Sequence, residues 1–102
     1  MADNVFAALS STARRKILAY LSAADMTAGE IAERFAMSKP AISKHLQILE
    51  NAGLVRSEKI GQFVHYSIVR EAIANTLNGF VQQVCPVSRP LKRESARIKE
   101  KR

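Results

Sequence analysis

The sequence is poor in several residue types that stabilise small proteins or take part in their chemistry. It has one cysteine, no tryptophan, four glycines and three prolines in 102 residues. A single cysteine cannot form a disulfide within the chain, which excludes a disulfide-stabilised fold and favours a reducing compartment. With 47% hydrophobic and 25% charged residues, the composition predicts a folded domain rather than a disordered chain.

Long apolar runs are also absent. No stretch approaches the roughly 20 apolar residues that a membrane helix needs, and the first nine residues lack the basic flank and apolar core of a signal peptide. We therefore expect a cytoplasmic protein with no membrane partner. One cysteine and two histidines suggest no nucleophile–base grouping, and no glycine-rich phosphate loop is present. The sequence thus predicts a binding protein without enzymatic activity or a cofactor.

Positive charge is abundant but unevenly distributed. The net charge is +7, and residues 86–102 carry seven basic and two acidic side chains, which contribute +5 of it. We predict a domain over residues 1–85 and a basic tail over residues 86–102. Such a tail is either a solvated chain end or an arm that contacts nucleic acid.

Apolar residues at helical spacing predict three helices before residue 37. The first covers about residues 3–10, and the second begins near residue 12. Thr27 and Glu30 form a capping box that starts the third helix, which we expect to run to about Ala36.

The segment SKPAISKHLQILENAGLV, residues 38–55, predicts a fourth helix with two unlike faces. Ser38 can cap its start, and Gly53 can take the left-handed conformation after its last turn. Because only two residues separate it from the third helix, the pair predicts a helix-turn-helix. One face is the apolar stripe Ile42, Leu46 and Leu49. The opposite face offers hydrogen-bond donors, one positive charge and no acid, from Pro40, Ser43, Lys44, Gln47 and Asn51.

The period changes from helical to two after Gly53. Residues 55–60 and 63–68 are strand-like, and Gly61 with Gln62 can form the turn between them, which predicts a β-hairpin wing. Residues 69–85 return to helical spacing. Their apolar stripe exceeds what so small a core needs, so we expect it to pack against a second subunit together with the first helix. The expected dimer interface is Val5, Phe6, Leu9, Ile73, Leu77, Phe80, Val81 and Val84.

The polar face of the fourth helix suits the major groove of DNA, which admits one α-helix. Gln47 can pair with adenine, and Lys44 can bind guanine or a phosphate. The capped start at Ser38 and Lys39 offers N–H groups and positive charge to a phosphate. The predicted fold is therefore mainly α-helical with a β-hairpin wing, a dimeric winged helix-turn-helix.

The stretch TAGEIAERFAMSKPAISKHLQILENAGLVRSEKIGQFVHYSI resembles the winged helix-turn-helix of the ArsR family of bacterial transcriptional repressors, and within it an autorepressor group. The resemblance covers about residues 3–85. It implies a homodimer on an inverted-repeat operator, with the fourth helix in the major groove and the hairpin over the adjacent minor groove. Any competition with RNA polymerase at the promoter would then be an indirect effect of DNA occupancy.

The resemblance also implies DNA contacts position by position. On the recognition helix these are Ser38, Lys39, Pro40, Ser43, Lys44 and His45, and along the wing they are Arg56, Lys59, Gln62 and His65. Many relatives have a basic residue at the wing tip where this chain has Gln62, which implies a weaker grip of the wing on the minor groove.

Many ArsR repressors bind a metal through a cysteine pair before the recognition helix or through Asp and His on the final helix. The segment before the recognition helix here has no cysteine or histidine, and the final helix offers only Glu71 and Cys85, so no metal site is expected. Cys85 is either a small hydrophobic residue of the dimer interface or a thiol switch, and His45 either packs at the border of the buried stripe or contacts a phosphate. A ligand-responsive repressor and a nucleoid-type protein that coats DNA without sequence preference are the remaining alternatives.

Overall fold

The computed structural model describes residues 2–85, so the predicted basic tail, 86–102, lies outside the described residues. Five helices and three strands make up this part of the chain. In chain order they are α1 Ala2–Leu9, α2 Thr12–Ala23, β1 Met26–Thr27, α3 Ala28–Ala32, α4 Lys39–Asn51, β2 Val55–Ile60, β3 Phe63–Ile68 and α5 Arg70–Val84.

Two helix starts show why these residues begin helices. The Ser11 hydroxyl accepts a hydrogen bond from the Arg14 N–H at the start of α2. At the start of α3, the Thr27 hydroxyl accepts from the Glu30 N–H at 3.2 Å, and the Glu30 carboxylate accepts from the Thr27 N–H at 2.9 Å. The predicted capping box is confirmed, and each side chain satisfies an N–H group that the helix leaves without a partner.

The predicted end of the third helix is wrong. The helix α3 stops at Ala32, and the chain continues in tighter turns, in which the Phe35 N–H donates to the Ala32 carbonyl at 3.1 Å. The ring of Phe35 meets the ring of Tyr20 edge to face, with centroids 5.6 Å apart. Both rings pack against the hydrophobic core, and tertiary contacts of this kind can override helix propensity. The turn between α3 and α4 is therefore longer than the two residues expected.

The hairpin forms the larger part of a three-stranded antiparallel sheet in the order β1-β3-β2. The register pairs Val55 with Ile68 at the base and Ile60 with Phe63 at the tip. Gly61 has a φ of 65°, which a glycine accepts without strain in a tight turn. The two-residue strand β1 was not predicted, because it is too short to show a period.

The core is made entirely of hydrophobic residues from α1, α2, β1, α3 and α4, from Leu54 in the following turn and from the start of β2. The described residues include no buried polar or charged side chain. Gly53 has a φ of 80°, and the Leu54 N–H donates to the Leu49 carbonyl at 3.0 Å, so the predicted left-handed end of α4 is confirmed. The largest fully buried side chains are Ile17, Leu21, Ile31, Ile42, Leu46, Leu49 and Leu54.

The structure corrects one residue of the expected dimer interface. Val5 is only 5% exposed within the single chain, because it lies on the face of α1 that joins the core of its own subunit. Val5 therefore stabilises the subunit rather than offering a surface to a second copy.

Candidate nucleic-acid interface

The helix α4 has one face in the core and the opposite face in solvent. Ile42, Leu46 and Leu49 are fully buried, whereas Ser43 and Gln47 are exposed. The helix begins at the predicted cap, where the Ser38 hydroxyl accepts from the Ala41 N–H at 3.3 Å. Because the apolar face is occupied by the core of the same chain, the polar face is available to a ligand. The other predicted contacts of this helix, Lys39, Pro40 and Lys44, are exposed as well.

The C-terminal end of α4 is joined to the wing. The Ser57 hydroxyl of β2 donates to the Glu50 carboxylate of α4 at 2.9 Å. Burial, and then the negative charge of Glu50, raise the pKa of the Tyr66 hydroxyl on β3, because both disfavour its ionised form. These contacts fix the base of the hairpin relative to the helix.

A cleft of about 300 Å³ separates the wing from the start of α4. Lys39 and Ser43 line it from the helix, and Gln62 lines it from the turn of the hairpin. The structure therefore brings together three predicted DNA contacts from two elements. Val64 and Tyr66 of β3 also line the cleft.

The remaining predicted contacts of the wing do not share one face. In the antiparallel register, Arg56 pairs with Ser67 and Glu58 with His65. Since side chains alternate along a strand, Arg56 and His65 lie on one face, and Lys59 lies on the other. Val55 is buried on the face of Lys59, so that face is turned towards the core side. Period-two spacing alone does not show which face is covered.

The wing tip carries exposed apolar side chains that the sequence analysis did not single out. Ile60 is 54% exposed, Phe63 56% and Val64 40%. Ile60 and Phe63 are paired across the turn. The signal in the sequence was two large apolar residues directly flanking the hairpin turn, where polar residues are usual.

Arg14 is the second group that sequence reasoning missed. Its guanidinium donates to the carbonyls of Ala8 at 2.8 Å and Ala7 at 3.2 Å, at the end of α1. The same group lies 3.3 Å from Nδ1 of His45 on α4. Burial, and then the positive charge of Arg14, lower the pKa of His45 below 6.5. No sequence signal links two residues 31 positions apart on different helices.

A second surface lies on α5, which has no buried residue. Leu77, Phe80, Val81 and Val84 are exposed, and we call these four side chains the apolar face of α5. The ring of Phe80 meets the ring of Phe6 on α1 edge to face, with centroids 5.5 Å apart. Two other predicted interface residues, Leu9 and Ile73, are half-buried against the core.

The side chains that could bind a metal ion are not grouped in the described part of the chain. Over residues 2–85, no three Cys, His, Asp or Glu side chains are grouped so that they could hold a metal ion. Cys85 is exposed at the end of α5, and its proposed role as a thiol switch stays a prediction. None of the helices within residues 2–85 has the length and apolar character to cross a membrane.

A short helix pair, a polar exposed helix face and an adjoining hairpin define a winged helix-turn-helix, a class of DNA-binding protein. The model of the family described as "Bacterial regulatory protein, arsR family" matches residues 11–57. The chain is 47% identical over 76 residues to the transcriptional repressor SdpR of Bacillus subtilis, covering 74% of this chain and 84% of SdpR. The chain belongs to the ArsR family, as the resemblance of its sequence indicated.

Solved structures agree with this assignment. An ArsR-like transcriptional regulator from Rhodococcus superposes with a TM-score of 0.73 and 34% identity, over 97% of this chain and 90% of its own. A homodimeric winged helix-turn-helix DNA-binding domain from Mycobacterium bovis superposes with a TM-score of 0.67 and 26% identity, over 86% of this chain and 81% of its own. SdpR and the Rhodococcus protein are regulators of transcription, as is the matched family, so the chain is a regulator rather than an enzyme.

Proposed function

We propose that the chain is a sequence-specific transcriptional repressor that binds an inverted-repeat operator as a homodimer in the bacterial cytoplasm. The observation that carries this proposal is the exposed polar face of α4, whose opposite face is fully buried. A helix held so firmly by its own core can enter a major groove without rearrangement of the fold.

The outer face of α4 supplies the sequence contacts. Gln47 can bond both edge groups of adenine, and Lys44 can bond guanine or a phosphate. Ser43 can donate to a base or a backbone oxygen, while Ser38 and Lys39 position the helix on a phosphate. The cleft beside Lys39 and Gln62 can receive the sugar–phosphate backbone of the DNA. This backbone separates the major groove, which α4 enters, from the minor groove, which lies under the wing.

The apolar face of α5 supplies the second subunit. Its four large side chains are exposed in the single chain, and burying them against a second copy removes that surface from water. The homodimeric neighbour from Mycobacterium bovis supports this arrangement. Two recognition helices related by a two-fold axis match an inverted repeat.

Repression then follows from occupancy of the promoter, and competition with RNA polymerase is indirect. The similarity to the repressor SdpR supports repression, and we propose that the chain represses its own operon without a metal cofactor. In this proposal residues 1–85 form the DNA-binding and dimerisation domain, and the basic residues of 86–102 add contacts to phosphates.

Footprinting on the DNA upstream of its own gene tests the proposal. We expect two protected half-sites about one helical turn apart, and binding to a shuffled duplex weaker by roughly a thousandfold. Lys44→Ala should weaken operator binding, whereas Lys16→Ala, which removes the same charge from the exposed side of α2, should not. Equal affinity for both duplexes would instead indicate a protein that coats DNA without sequence preference.

A further inference from the structure

The contact between Arg14 and His45 constrains the imidazole of His45. Nη1 of Arg14 lies 3.3 Å from Nδ1 of His45. An arginine side chain stays protonated in proteins and carries only donors, so it cannot accept a hydrogen bond. The bond therefore requires a lone pair on Nδ1, and the proton of a neutral imidazole then lies on Nε2.

We propose that Arg14 is a positioning residue that fixes His45 as the neutral Nε2–H tautomer, which donates a hydrogen bond to a phosphate oxygen of the operator. The inference rests on the proposed function, because it needs DNA bound along α4. It assigns His45 to a backbone contact rather than to reading a base.

The position of Arg14 explains why it can hold the ring. Its guanidinium also donates to the Ala8 carbonyl at 2.8 Å and the Ala7 carbonyl at 3.2 Å. These two bonds occupy other donors of the same planar group, and they fix it to the last turn of α1. Arg14 thus connects α1, α2 and α4. Because two carbonyls hold its guanidinium, the Nη1–H donor keeps its position beside Nδ1 of His45.

Local charge favours a phosphate as the partner of Nε2–H. Arg14 lies beside the ring. Its positive charge stabilises an anionic oxygen near the ring, whereas a base acceptor is neutral. The lowered pKa of His45 agrees with a neutral ring at pH 7, since burial, and then the positive charge of Arg14, disfavour the charged imidazole.

The tautomer can be measured in the protein without DNA. The chain has only two histidines, and His65→Gln assigns the remaining signals to His45. Long-range ¹H–¹⁵N spectra at pH 7.5 should show Nε2 protonated and Nδ1 unprotonated in His45. A proton on Nδ1, or rapid exchange between both forms, would overturn the proposal without any loss of DNA binding.

Two substitutions separate the two ring nitrogens in binding. His45→Gln can keep a donor near the position of Nε2, whereas His45→Asn can keep an acceptor for Arg14 near Nδ1 but loses the outer donor. We expect His45→Asn to bind about tenfold more weakly per subunit, on operator and random duplex alike, and His45→Gln to recover most of this loss. Thermal melts of both variants check that the fold is kept.

The salt dependence of binding separates a neutral donor from a cation. A neutral imidazole releases no counterion, so His45→Asn should leave the slope of log affinity against log salt unchanged. Lys44→Ala, the matched control for a charged phosphate contact, should reduce the slope by about 1 per subunit. A similar reduction with His45→Asn would show that His45 binds as a cation and would overturn the neutral-donor proposal.

The failures of the two proposals are distinguishable. If the wild-type chain binds operator and shuffled duplex equally, the proposed function fails, but a loss with His45→Asn on both duplexes still supports the phosphate contact. If the wild-type chain selects its operator but His45→Asn binds as tightly, only the role of His45 is wrong.

Discussion

The helices α4 and α5 look alike in sequence but differ in what covers their apolar faces. Both are amphipathic, with 13 and 15 residues. The apolar stripe of α4 is fully buried in its own chain, and α5 has no buried residue. In α4 the polar face is therefore the one left for a partner, and in α5 it is the apolar face. The first suits DNA, and the second suits another copy of the chain.

Apolar periodicity alone does not distinguish the two helices. A repeating apolar stripe indicates that one face of a helix avoids water. It does not indicate whether the covering surface comes from the same chain or from another.

The largest effect is expected from charging the apolar face of α5. Leu77→Glu combined with Phe80→Glu should give a monomer by sedimentation velocity. Operator affinity should fall at least about a hundredfold, because the two recognition helices no longer bind as a linked pair. Gln82→Glu adds a charge to the same helix on its polar side and should leave the dimer intact. A double variant that stays dimeric would show that the interface lies elsewhere.

Removing a buried side chain of α4 should affect folding rather than assembly. Leu46→Ala should lower the free energy of unfolding by about 2–5 kcal/mol, because Leu46 is fully buried. The loss should persist in the monomeric Leu77→Glu, Phe80→Glu background, since the neighbours of Leu46 belong to the same chain. Chemical denaturation measures both. A loss confined to the dimer would contradict the division between the two helices.

Changing the outer face of α4 should affect sequence discrimination. Gln47→Ala should cost about 1–3 kcal/mol on the operator and little on random DNA, if Gln47 pairs with a base. The fold should be kept because Gln47 is exposed. Competitive gel shifts with both duplexes measure the difference. An equal loss on both would make Gln47 a positioning contact only.

A smaller effect is expected from titration of His45. Its pKa lies below 6.5 in the folded chain, so the unfolded chain takes up the proton first as the pH falls. This contribution to stability is therefore present above about pH 6.5 and is lost as the pH falls through the folded pKa. Denaturation between about pH 7.5 and 5.5 should show a weaker pH dependence for His45→Gln than for the wild type. Identical slopes would contradict the lowered pKa.

Adding or removing a metal ion is expected to have no effect on operator affinity. In the described residues the helix α5 offers no grouped ligands beside its apolar face, which we assign to a second subunit. Stoichiometric zinc, or a chelator, should leave operator affinity unchanged in a fluorescence titration. Release of DNA by one equivalent of zinc would show a site that the arrangement of side chains does not suggest.

Much of the fold was predictable because its signals are local. The caps at Ser38 and Thr27, the left-handed Gly53 and the hairpin turn at Gly61 each depend on neighbouring residues. What could not be predicted depends on residues far apart in sequence. The burial of Val5 is set by packing of α1 against other helices, and no local pattern reports it.

The candidate site shows the same limit. The outer face of α4 follows from helical spacing, and its exposure agrees with it. The contact of Arg14 with His45 joins two helices, and the division of the wing residues between two faces depends on the register of the sheet. Both become visible only when the elements are placed together.

The central claim is that two copies of this chain recognise one specific duplex. Sedimentation of a fluorescently labelled duplex from upstream of the gene, titrated with protein, measures stoichiometry and affinity together. We expect two chains per operator duplex, and binding to a shuffled duplex weaker by roughly a thousandfold. A single chain per duplex at saturation, or equal affinity for the two duplexes, would contradict it.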